Sequence, residues 1–278
     1  MNTNSGTAHA GGPRVDCTAD TDGRIAFALE APSIDARLLL RLRPKKGQPE
    51  KVLHTLDLEL AEDGRHRAVL EPLPLPLLAE GRWDMYLVPE PGAPRQRLRP
   101  GLRDLRTLVS GHRHDRPSPV AVRIPYVTKD GHLAVRAWLR TAHAEVEGID
   151  VTDRTMTVRA RLHGATLAEG AAVRLRLRGG GGVVRRLEPL VTGDDGRGFS
   201  FTVEYGELAA EDAGNRVWDL SVQAGSGEGA APIRIGRLLD DIADRKEIFV
   251  FPEAVVGNAV VRPYYTVDND LSVLADRT

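Results

Sequence analysis

Several stretches of this chain recur in the same order and nearly in the same register, and such a repeat leaves few folds open. LLLRLR at 38–43 answers VRLRLR at 173–178, and Trp83-Asp84-Met85 answers Trp218-Asp219-Leu220, both 135 positions apart. IPYVTKDGHLAV (124–135) answers RPYYTVDNDLSV (262–273), the two tyrosines lying 138 positions apart. Between these anchors, QRLRPGL (96–102) resembles IRIGRL (233–238). Arginine-rich strands resemble one another by composition alone, but the shared Pro-Tyr-x-Thr-x-Asp-x-x-Leu-x-Val pattern is more specific. The expected organisation is a tail over 1–13, one domain over 14–140 and a duplicate of it over 141–278. A chain of 278 residues is long enough for two ordinary domains, each with its own core.

Each copy reads as β. Val173, Leu175 and Leu177 alternate with Arg174, Arg176 and Arg178, placing one face inward and one in water. Strand-like runs are expected over 37–43, 52–60 and 67–71, then over 155–162, 171–178, 183–190 and 199–205. Asp22-Gly23, Asp63-Gly64, Asp130-Gly131, Gly179–Gly182 and Asp194-Asp195-Gly196 supply turn chemistry between runs. That rhythm predicts an all-β fold of two tandem Ig-like antiparallel β-sandwich domains related by internal duplication. Short helices or turns are expected over 102–108 and 238–245, whereas Pro72, Pro74 and Pro76 exclude one after Glu71. Trp83 and Trp218 are read as core residues, the other reading being a sugar-stacking platform.

The formal net charge of −1 provides no global field for polyanions or membranes, which disfavours nucleic acid as the main ligand. The single cysteine, Cys17, fits a reducing compartment, the opening residues lack the pattern of a signal peptide, and no apolar run is long enough to span a bilayer. A cytoplasmic location is expected.

Motifs that suggest chemistry have plainer readings. Gly179–Gly182 runs into Val183-Val184-Arg185-Arg186, a strand, and so reads as a hairpin loop and not a phosphate cradle. His112-Arg113-His114-Asp115 has no further ligand cluster and reads as a solvated loop. Asp268-Asn269-Asp270 lacks the glycine and distal glutamate of a calcium loop and reads as a turn. Asp240, Asp241 and Asp244 are expected at a charged helix start or in an exposed loop. No nucleophile elbow occurs, so no catalytic residue, metal ligand or cofactor is nominated. The polar positions kept in both copies are Tyr126, Thr128 and Asp130 with Tyr264, Thr266 and Asp268. They are either structural turn residues or candidates for binding a hydroxyl-rich ligand.

The motifs WDMYLV (83–88) and WDLSVQ (218–223), each followed by an arginine strand and the Pro-Tyr-x-Thr-x-Asp turn, carry a family resemblance. The chain resembles Ig-like sandwich modules of large actinobacterial cell-envelope proteins that join a glycosyltransferase to a CDP-glycerol glycerophosphotransferase. The resemblance implies an accessory role: binding a glycan or polyol-phosphate polymer, or docking a glycosyltransferase. It does not extend to a nucleotide-sugar fold or a CDP-glycerol site. Two rivals remain at this point, a transferase or hydrolase with a site in an interdomain cleft, and a purely structural protein-interaction module.

Overall fold

The computed structural model describes residues 12–44, 47, 49–50, 53–73, 76–209, 215–226 and 231–277, with the side chain of His112 excepted. The tail expected over 1–13 falls outside these but for its last two residues, as do Val52 and Pro74. The fold is all-β, and among the described residues there is no α-helix. The chain divides into two compact units: the described residues up to Val109 with Ala121–Leu139, and Ser110–Val120 with the chain from Arg140 onward.

In the first unit β1 (Arg14–Ala19), β2 (Ile25–Leu29), β5 (Glu59–Leu60), β6 (His66–Leu70) and β9 (Arg99–Asp104) make one sheet, in the order β5-β6-β2-β1-β9. The other holds β3 (Arg37–Leu42), β4 (Leu53–Asp57), β7 (Gly81–Val88), β10 (Val120–Val127) and β11 (Leu133–Arg140), in the order β10-β11-β7-β3-β4, with β8 (Gln96–Arg97) beside β7. Alternation explains the layering: Phe27 and Leu29 of one sheet meet Leu38, Leu40, Trp83 and Met85 of the other in one buried cluster. Trp83 is 1% exposed and its indole N–H donates to the Ala79 carbonyl at 3.0 Å, so it is a core residue.

The second unit contains β12 (His143–Val151), β13 (Thr155–His163), β14 (Ala172–Leu177), β15 (Val184–Leu187), β16 (Val191–Thr192), β17 (Gly198–Glu204), β18 (Arg216–Gln223), β19 (Ile233–Gly236), β20 (Ala254–Val256), β21 (Ala259–Tyr265) and β22 (Leu271–Arg277). One layer runs β16-β17-β13-β12, and the other holds β15, β14, β18, β22, β21 and β20. Strand β19 joins them, pairing parallel with β12 and antiparallel with β18. Val158, Phe199 and Phe201 face Leu175, Trp218 and Val273 across the core.

The units pair their central strands in the same register. Arg41 lies opposite Asp84 and Leu42 opposite Trp83, while Arg176 lies opposite Asp219 and Leu177 opposite Trp218. On the other side Ala134 faces Asp84 and Ser272 faces Asp219.

The structure departs from the sequence reading in four places. The run read as one strand over 52–60 is split, β4 pairing in one sheet and β5 in the other, with Leu58 buried between them. The pairing is not wholly antiparallel, since β1–β9 and β12–β19 are parallel. Residues 99–104 form a strand, and only Arg106–Leu108 forms a 3-10 turn. Residues 238–245 form no helix; the Leu238 and Leu239 N–H groups, Asp240 and Arg245 instead join a buried network described below.

Candidate functional site

The outer face of β14, β18 and β22 carries a groove of about 630 Å³. Its walls include Arg174, Arg176 and Arg178 from β14, Ser221 from β18, Arg234 from β19, and the turn residues Thr266 and Asp268. Strand alternation drives this arrangement, since burying Val173 and Leu175 turns the three arginines out on one side.

The groove's guanidiniums are unevenly paired. Asp219 accepts two hydrogen bonds from Arg178 and one from the Ser272 hydroxyl at 3.0 Å. Arg176 approaches Asp219 only to 3.7 Å, too far for a hydrogen bond. Asp270 pairs with Arg234 at 3.2 Å and with Arg140 at 2.8 Å. Arg174 is half-buried and meets no carboxylate among the described residues. A charge held partly out of water without a counter-ion favours an incoming anion.

The repeated polar residues fall into two settings. In the second unit Thr266 and Asp268 line the groove, and the Thr266 hydroxyl accepts the backbone N–H groups of Asp268 and Asp270, each at 3.2 Å. Tyr264 lies beside Arg178, whose pKa is raised chiefly by its hydrogen bond to Asp219 and to a smaller extent by Tyr264. In the first unit Thr128 closes its turn on His132, donating to the carbonyl and accepting the N–H, both at 3.0 Å. Asp130 pairs with Arg97 at 2.8 Å and lies 3.2 Å from His132; the adjacent Thr128 hydroxyl, with Arg97 and His132, holds its carboxyl down at about 2. Tyr126 lies near Arg43. Gly131 (φ 78°) and Asn269 (φ 60°) take the left-handed position of the two turns, which glycine and asparagine tolerate best.

A buried network braces the groove from behind. Glu145 is 1% exposed; it accepts the N–H groups of Leu238 (2.8 Å) and Leu239 (3.1 Å), and His143 Nε2 lies at 2.8 Å. Arg140 can only donate to His143 Nδ1 at 3.2 Å, so the imidazole proton is on Nε2 and points at Glu145. Burial nevertheless pushes the Glu145 carboxyl up to about 7, against the two backbone N–H bonds. Burial also takes His163 down to about 4. Arg245, fully buried, donates to the Arg237 carbonyl at 2.8 Å, pairs with Asp240 and lies 5.0 Å over the Phe249 ring. Asn269 accepts the Arg245 N–H at 3.1 Å and donates to the Ile242 carbonyl at 3.1 Å, tying this segment to the groove's turn. Asp240, expected in an exposed loop or helix start, is instead 6% exposed, because Arg245 arrives to neutralise it. Nothing local in the sequence signals this pairing or the burial of Glu145.

Elsewhere His114 and Asp115 are exposed, and Asp115 pairs with Arg161 and Arg197. Among the described residues no three His, Cys, Asp or Glu side chains converge to hold a metal ion, and no helix is long and apolar enough to cross a membrane.

No protein-family model and no curated protein matches the chain. Among solved structures it is similar to the crystal structure of S. aureus TarS, at 16% identity and a TM-score of 0.29, over 73% of this chain and 38% of that one. A TarS crystal structure of residues 217–571 gives the same identity and TM-score over 68% and 55%. A tetra-tandem repeat in the extending region of a large adhesion protein is similar at 11% identity and a TM-score of 0.19, over 95% and 81%. The chain thus spans 38% and 55% of the two TarS structures, and likeness this remote carries no argument about function.

Proposed function

We propose that this chain is a non-catalytic binding module whose second unit takes an anionic, hydroxyl-rich chain, of the glycan or polyol-phosphate kind found in cell-envelope polymers. The observation that carries this reading is the half-buried Arg174 guanidinium, which meets no carboxylate among the described residues, set beside the loosely paired Arg176 in an open groove. Thr266, Asp268 and Ser221 add the hydroxyl and carboxylate groups that hydrogen-bond to sugar or polyol hydroxyls. Charge supplies the attraction and the polar rim supplies orientation.

The proposal includes descent of the two units from one duplicated Ig-like sandwich, supported by the equal registers around Asp84 and Asp219. It also includes a cytoplasmic place of work alongside an envelope glycosyltransferase. Titration calorimetry of the full chain with a glycerol-phosphate oligomer and with an uncharged glucan tests the binding reading. Saturable binding of the anionic chain, lost as salt is raised, is the expected result. Equal retention of both polymers, or of neither, would overturn it.

A further inference from the structure

We infer that one cross-strand pair decides which unit can hold the anionic chain: Arg174–Ser221 opens the groove of the second unit, and Leu39–Tyr86 closes the same face of the first. The inference rests on the proposed binding role and adds the residues that set its place and its ligand.

The two pairs occupy one register. Leu39 lies opposite Tyr86 on β3 and β7, two positions before the Arg41–Asp84 pair, and Arg174 lies opposite Ser221 on β14 and β18, two positions before Arg176–Asp219. In the first unit the larger residue fills the space. Tyr86 is 6% exposed and its ring lies 5.2 Å from each of the Arg41 and Arg95 guanidiniums. Those cations are already satisfied. Glu50 takes Arg95 through both oxygens at 2.8 and 3.0 Å, and Arg41 bonds to Asp84 at 2.9 Å and Glu50 at 3.3 Å. Arg43 and Arg97 also reach Asp84. The same face of the second unit has a serine in place of the ring and an arginine in place of the leucine, with no carboxylate at Arg174 among the described residues.

Spacing narrows the ligand. Arginines at alternate positions of a strand recur every ~6.7 Å. Phosphates joined through a short polyol recur at a similar interval, so two neighbouring phosphates can each meet a guanidinium, at Arg174 and Arg176. Single-stranded nucleic acid has a comparable repeat but is held through bases stacked on aromatic rings. None of the described groove-lining residues is aromatic, and Thr266, Asp268 and Ser221 suit hydroxyls instead.

The test uses the full chain and the glycerol-phosphate oligomer, with oligo-dT as a second probe, in calorimetry beside thermal melting. R174L/S221Y, which installs the first unit's pair, should weaken oligomer binding at least tenfold. R174Q, a milder change on the outward face of β14, should weaken it several-fold with an unchanged melting curve, so the inference is tested even if the double variant folds poorly. Unchanged affinity in R174Q and in a folded R174L/S221Y, with the wild-type chain still binding, would overturn this inference and leave the binding role standing. No binding by the wild-type chain would remove both. Oligo-dT binding as tight as the oligomer's, and lost in the same variants, would overturn the ligand assignment.

Discussion

Asp84 and Asp219 hold the same place on their strands but not the same surroundings. Asp84 has a side chain only 3% exposed among Arg41, Arg43 and Arg97, and although burial works to raise its pKa, hydrogen bonds from Arg43 and Arg41 keep it below the usual carboxylate range. Asp219 is 27% exposed and bonded chiefly to Arg178 and Ser272. Asp84→Asn should therefore cost about 3 kcal/mol, by taking the charge partner from Arg43 and leaving Arg41 and Arg97 with only Glu50 and Asp130, whereas Asp219→Asn should cost about 1 kcal/mol or less. Urea denaturation of the two variants checks the contrast, and equal losses would contradict it. Glu145 has a different signature. Its carboxyl titrates near 7 in the folded chain against 4.5 when unfolded, so the folded state holds the extra proton between these values. Its contribution is present below 4.5 and lost as pH rises through about 7. His163, lowered to about 4, pulls the other way, its contribution being lost as pH falls from 6.5. The readout is thus the difference in slope between the wild-type chain and E145Q: across pH 5 to 7 the variant should lose stability less steeply as pH rises. Parallel curves would show that Glu145 does not titrate there.

At the level of elements, β19 and the turn at 266–270 fit together through the absence of a side chain. A Cβ on Gly236 would lie 2.5 Å from the Asn269 carbonyl oxygen and 3.0 Å from the Asp270 Cα, both backbone atoms. Gly236→Ala should push the turn away from β19, costing about 1–3 kcal/mol and weakening binding in the groove that Thr266 and Asp268 line. Melting and calorimetry on one variant check both effects; a shift in neither would mean the turn is not held by this contact. Much of this level was legible in the sequence. Alternation over 171–178 placed β14 with its arginines outward, and the shared Pro-Tyr-x-Thr motif placed the two turns. The split of 52–60 between sheets was not legible, because its alternation states which side chains are buried and not which neighbouring strand accepts its hydrogen bonds. The two parallel contacts were hidden for the same reason.

On the scale of the whole chain, two hydrophobic clusters share no residue, one drawn from 15–137 and the other from 144–275. Leu40→Ala should cost about 3 kcal/mol and raise hydrogen exchange chiefly in β1–β3 and β7, while Val158→Ala should do so in β12, β13 and β17. Exchange that rises equally in both units for either variant would mean the clusters are not separate cores. The formal charge of −1 conceals local asymmetry, since a groove with four arginines lies on a nearly neutral chain. Net charge therefore argued against polyanions in general while saying nothing about one face.

The sequence by itself determined the strand class, the burial of Trp83 and Trp218, and the repeated turn. These follow from local periodicity and backbone preference, which act over a few residues. Only the tertiary structure decided that Glu145 and Asp240 would be buried, that Tyr86 would fill one face, and that Arg174 would meet no carboxylate among the described residues. Whether a charge is neutralised depends on which distant strand arrives beside it, and that is settled by packing across the sheet rather than by neighbours along the chain.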